Sequence, residues 1–154
     1  MLEELIPHLR TQPGLQIAIA EWDISADHLR LWPGTLMIRG FPLSQYFNAF
    51  DFTVTAAGYN SFNEVISFGL PAIFIPNTHP GMDDQAGRAG YAEKHGAGIV
   101  LQADQLGEIV DLLPLMLNAS SRSYIRQNCS RISLENGAAQ AANLISQLVE
   151  QMRP

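Results

Sequence analysis

At 154 residues the chain suits one domain with a sizeable core, since globular domains usually run to about 100–200 residues. Hydrophobic residues make up 47% and charged residues 16%, a balance poor in charge and suited to strands and helices buried on both faces. The net charge of −6, from 15 acids against 9 bases with Lys94 the sole lysine, excludes the basic stripe that nucleic acid or an anionic membrane surface requires.

Residues 1–11 place Leu2, Leu5, Ile6 and Leu9 at helical spacing, and Gln12-Pro13-Gly14 stops the run. Residues 15–20, LQIAIA, form a short strand. Residues 21–34 are polar and close on Trp32-Pro33-Gly34, a turn signal. Residues 35–39 read as a second strand, which Gly40-Phe41-Pro42 turns into a short helix over residues 43–50. Residues 52–56 form a buried strand, Ala57-Gly58 a tight turn, and the next helix opens near Asn60 or Ser61. Residues 72–75 are another buried strand, followed by a polar loop over residues 77–85.

In residues 83–95, the small residues Ala86, Ala89, Gly90 and Ala92 recur at helical spacing and let a helix lie close against a sheet. Gly96-Ala97-Gly98 ends that helix, and residues 99–101 are the last strand. Asp104 is expected to cap a helix reaching Leu117, with Pro114 as a kink or break. Two more helical patterns cover residues 121–132 and 137–152. Cys129, in the first of them, is a small packing residue; a single cysteine excludes an internal disulfide and a multi-thiolate metal site and fits a reducing compartment. No run approaches the roughly 18 apolar residues of a membrane span and no signal-peptide pattern opens the chain, so a cytoplasmic location is expected.

Strands alternating with helices over this length imply an α/β fold, a Rossmann-like parallel sheet with helices on both faces. Ligands in such sheets sit beyond the carboxyl ends of the strands. The stretch from Phe52 to Gln85 supplies two loops there. At the first, a strand runs through Gly58 into a helix start, where backbone N–H groups lack intrahelical partners and the helix dipole favours negative charge, a seat for phosphate. The second, Asn77 to Gln85, is dense in groups that hold hydroxyls. Ser61 and Glu64 also fit a capping box, the bland explanation of the same residues. Tyr59 and Phe62 are expected to pack rather than stack on a base. His79 lies in the second loop, Asp83 either starts the next helix or contacts a ligand, and Arg88 is a surface or ion-pairing residue. His8, His28 and His95 are surface or helix-end residues. No metal site is expected.

The segments AAGYNSFNEVISFGLPAIFIP and DDQAGRAGYAEKHGAGIVL resemble the C-terminal half of GT-B glycosyltransferases. The likeness is to the nucleotide-sugar-binding domain shared by the peptidoglycan N-acetylglucosaminyltransferase and the UDP-glycosyltransferases, and it is sharpest from Phe41 to Leu101. The resemblance implies a UDP-sugar donor, UDP-N-acetylglucosamine or a related hexose. Gly58, Tyr59, Asn60 and Ser61 would hold its diphosphate and Glu64 its ribose. Asp84 and Gln85, with His79 and Asp83 beside them, would hold the sugar, and the backbone around Phe41 to Leu43 would meet the uracil. No cofactor is implied. Ala56 stands where many relatives carry a phosphate-contacting histidine.

The family domain begins with a central strand and glycine-rich loop, whereas this chain opens in the helix after them. Residues 1–154 are therefore expected to be a single donor-binding domain, a fragment or one half of a two-domain enzyme, with two unpaired inner strand edges. The catalytic base and acceptor site would belong to the other half, leaving the isolated chain inactive. Its partners would be that N-terminal domain or a separate chain, or a second copy through strand exchange; any peripheral membrane association would come through the other half. A nucleotide-sugar hydrolase or epimerase on the same scaffold, and a non-catalytic sugar-nucleotide-binding subunit, remain alternatives.

Overall fold

A computed structural model describes residues 1–21, 32–133 and 137–151; His28, most of the polar segment before Trp32 and the last residues of the final helical pattern lie outside them. Helix α1 (Leu2–Leu9) leads into β1 (Ile17–Glu21), which pairs in parallel with β2 (Thr35–Arg39). A separate three-stranded parallel sheet has the order β3 (Thr53–Thr55), β4 (Ala72–Phe74), β5 (Ile99–Val100). Helix α2 (Tyr59–Phe68) connects β3 to β4, and α3 (Gln85–Lys94) connects β4 to β5. Then come α4 (Ile109–Leu117), α5 (Ala119–Ile132) and α6 (Ala138–Gln151).

The β4 strand is the axis of the larger sheet. Ala72, Ile73 and Phe74 are fully buried, as expected of a parallel strand covered on both faces; burying a side chain such as Ile73 or Phe74 stabilises by about 1.5–3 kcal/mol. By contrast every residue of β3 is only half-buried, and β3 pairs on one side alone. Among the described residues β1 likewise pairs with β2 alone. The two sheets nevertheless share one core, in which Leu5, Ile6 and Leu9 of α1 join Ile19 of β1, Ile73 of β4 and Leu113 of α4. α1 packs against α4 and α2 against α5.

Local chemistry sets the boundaries. α2 ends in a left-handed Gly69 (φ 65°), with Gly69 N bonded to Ile66 O and Leu70 N to Val65 O, a Schellman stop that turns the chain at once into β4. After α3, Gly98 is needed because an added Cβ would stand 2.7 Å from the Phe74 ring. Cys129 packs as expected: it is buried, and its thiol donates to Ala97 O at 3.3 Å.

Several boundaries differ from the sequence reading. The segment after Pro42 winds as a 3-10 helix over Leu43–Ala49, closed by Phe50 N to Phe47 O. α2 starts at Tyr59 with Gly58 as its N-cap and no side-chain cap, so Ser61 is already inside the first turn and the capping box does not form. Asp104 caps nothing: a 3-10 turn over Leu106–Glu108 precedes α4, which lacks a side-chain cap. α4 also runs through Pro114; the missing amide falls on an exposed side of the helix, beside Val110, where water can serve the orphaned carbonyl. The chain breaks four residues later, at Asn118. In α3 only Ala89 and Ala92 reach the core, while Ala86 and Gly90 face solvent. Among the described residues no helix is long and apolar enough to cross a membrane.

Candidate functional site

The β3–α2 and β4–α3 connections leave the carboxyl ends of adjacent, in-register strands, since Thr55 pairs with Phe74. They therefore share one rim. At the first, Gly58 O accepts from Phe62 N at 2.8 Å, while no acceptor among the described residues meets the amides of Tyr59, Asn60 or Ser61. All three residues are exposed, so these donors open to solvent at the positive end of the helix dipole. Glu64 lies one turn further along the Asn60–Ser61 face; it is half-buried, and among the described residues no hydrogen bond or ion pair engages its carboxylate.

The second connection folds back on itself through side chains. Asn77 Oδ1 accepts from His79 N at 3.0 Å, and His79 Nδ1 accepts from Gly81 N at 3.2 Å. That bond leaves the imidazole proton on Nε2, free to donate outward. Asp84 Oδ1 accepts from Gly87 N at 2.9 Å and caps α3, so the cap is Asp84 rather than Asp83. Asp83 instead pairs with Arg88.

Gln85 joins the two connections. It is 3% exposed, its Oε1 accepts from Asn77 N at 3.0 Å, and its Nε2 comes within 4.0 Å of where a Cβ on Gly58 would stand. Gly58, Tyr59, Asn60, Ser61, Asp84 and Gln85 thus meet at one rim, with His79 and Asp83 in the adjoining loop. Of the two aromatics expected to pack, Phe62 does, its ring centroid 5.4 Å from that of Phe74; Tyr59 does not, at 66% exposed. Phe41 and Leu43 follow β2, in the other sheet, with Phe41 exposed and Leu43 half-buried. A groove lined by Phe68, Arg126 and Ser130 lies at the opposite end of α2, away from this rim.

The pair with Asp83 is the ion-pairing role expected of Arg88; its second bond is what the sequence did not reveal. Its Nε donates to Ala57 O at 2.8 Å across 31 residues of chain. The one available signal was its place three residues after Gln85, on the same face of α3.

Parallel sheets flanked by helices, with two loops at one carboxyl rim, make this an α/β fold that matches the C-terminal half of GT-B glycosyltransferases. Solved structures bear on the fold. The chain superposes on Acinetobacter baumannii MurG with a TM-score of 0.71 at 17% identity, covering 95% of this chain and 46% of that one. It superposes on the spinosyn rhamnosyltransferase SpnG complexed with thymidine diphosphate with a TM-score of 0.74 at 19% identity, covering 93% and 40%. Residues 40–148 match the glycosyltransferase family 28 C-terminal domain, and the chain belongs to that family. Among sequence relatives are two UDP-N-acetylglucosamine--N-acetylmuramyl-(pentapeptide) pyrophosphoryl-undecaprenol N-acetylglucosamine transferases. That of Bacillus pumilus is 29% identical over 71% of this chain and 30% of its own length. That of Synechococcus elongatus is 31% identical over 66% and 31%. The chain thus spans about a third of the relatives it matches in sequence.

Proposed function

We propose that this chain is the donor-binding part of a glycosyltransferase that takes a UDP-sugar, UDP-N-acetylglucosamine or a related hexose, and that the transfer reaction needs a second half supplied by another polypeptide segment. The carrying observation is that the amides of Tyr59, Asn60 and Ser61, all exposed residues, meet no acceptor among the described residues and start beside Gln85. A diphosphate at this helix start would meet several donors and the helix dipole together. Glu64 would accept from the ribose hydroxyls. Asp84, Gln85, His79 and Asp83 would face the sugar, and the backbone from Phe41 to Leu43 would contact the uracil. The names of the sequence relatives support N-acetylglucosamine as the sugar.

In the assembled enzyme an acceptor hydroxyl, deprotonated by a base from the other half, displaces UDP from the anomeric carbon, and charge grows on the departing diphosphate. Amides already aimed at that charge would stabilise the transition state more than the ground state. Alone, the chain would bind donor without turnover.

Titration calorimetry tests this. UDP should bind the wild-type chain, and Glu64→Ala should weaken it about 10- to 100-fold, the loss expected for hydrogen bonds to a charged group, with the thermal midpoint unchanged. Equal affinity in the variant would remove the ribose role. No UDP binding by wild type, alone or with the other half, would remove the donor-binding reading.

A further inference from the structure

We infer that Arg88 is a positioning residue for the diphosphate seat, holding the β3–α2 turn in the orientation that turns its amides outward; this rests on the donor-binding reading above. The Arg88 side chain starts on α3 and reaches Ala57, the fully buried residue just before Gly58. A trans peptide sets the carbonyl of one residue and the N–H of the next on opposite sides of one plane. With Ala57 O drawn towards Arg88 Nε at 2.8 Å, the Gly58 N–H must point away from α3's side chain, and the helix start at Tyr59 inherits that orientation. A rotation of this one peptide would turn the donors from the open rim.

The same guanidinium pairs through Nη2 with Asp83, immediately before the Asp84 cap and Gln85. One planar group therefore spans the two connections, while Gln85, one turn earlier in α3, links Asn77 N to the vicinity of Gly58. The fork geometry matters. A lysine carries one compact charge on a flexible stem and cannot hold a carbonyl and a carboxylate in fixed directions at once. Arg88 is only 22% exposed as a side chain, so water competes weakly for these bonds.

The test compares UDP with uridine on wild type, Arg88→Met, Arg88→Lys and Arg88→Gln, together with ¹⁵N relaxation of the unliganded chain. Arg88→Met should lower UDP affinity about tenfold, the worth of one charge-assisted hydrogen bond, and leave uridine affinity within about twofold. Arg88→Lys should not restore UDP binding. In the unliganded variants the order parameters of the Gly58 and Tyr59 amides should fall while those of β4 stay constant. Unchanged UDP affinity in Arg88→Met, an equal loss for UDP and uridine, or rescue by lysine would overturn the inference. If wild type binds no UDP the donor-binding reading falls, and unchanged order parameters in the variants would then overturn the Arg88 tether on their own.

Discussion

Burial holds the Cys129 thiol proton, its acid range pushed from 9.0 to about 11, with the backbone bond and Arg126 opposing the shift. The folded chain then keeps a proton that the unfolded chain releases above pH 9, so the folded state loses stability as pH climbs from about 9 towards 11 and is unaffected below. Urea unfolding at pH 8 and pH 10 should show a drop in wild type that is smaller in Cys129→Ala; an identical drop in both would refute the assignment. The buried role of this residue was legible because a lone cysteine at a helical apolar position has little else to do. What individual side chains do at the rim was less so. Asp83 and Asp84 are alike in sequence, and only the backbone direction decides that Asp84 reaches Gly87 N while Asp83 turns to Arg88. The Arg88–Ala57 bond joins residues 31 positions apart, and no local pattern encodes it.

Elements were legible where a buried periodicity fixed them and less so where a cap decided them. The five described strands lie where apolar runs and turn residues put them, and the trace is most continuous in β4, which is buried on both faces. The α4–α5 boundary shows the opposite case. Pro114 looks like the breaker, yet the break is at Asn118, whose Oδ1 accepts from Ser120 N at 2.9 Å and Ser121 N at 3.1 Å. Those two amides would otherwise be orphans at the start of α5. Arg122 adds bonds to Met116 O at 2.9 Å and Leu117 O at 2.7 Å, so the last carbonyls of α4 and the first amides of α5 are satisfied together. Asn118→Ala should remove about 1 kcal/mol, lowering the thermal midpoint by about 2–4 °C for a domain of this size. Scanning calorimetry that found no change would mean water replaces the cap without loss.

At the scale of the molecule, the described strands fall into two parallel sheets, β1–β2 and β3–β4–β5. Thr53 N donates to Pro71 O and Thr55 O accepts from Ile75 N, so alternate residues of β3 face β4 and the N–H and C=O of Val54 point to the other side, where no strand pairs. β1 pairs with β2 on one edge, and no other strand among the described residues pairs with it. The position of α1 shows what would fit. It feeds β1 and packs on α4, as the crossover helix of a right-handed β-α-β unit does, and the strand preceding such a helix lies parallel and beside the one that follows it. A parallel, apolar strand from the remainder of the relatives' length would pair β1 with β3 and join the two sheets. α6 offers a second unfinished surface: Leu144, Ile145, Leu148 and Val149 form one row, each at least half exposed. We expect hydrogen exchange at the Val54 amide to be fast in the isolated chain and slowed at least about a hundredfold by the N-terminal half of a family member, since a paired backbone amide exchanges only on opening. Thr53, whose amide is already bonded to Pro71 O, serves as the internal control and should change little. A Val54 amide that is protected in the monomer, or unmoved when the other half is bound, would show that no strand enters between β1 and β3.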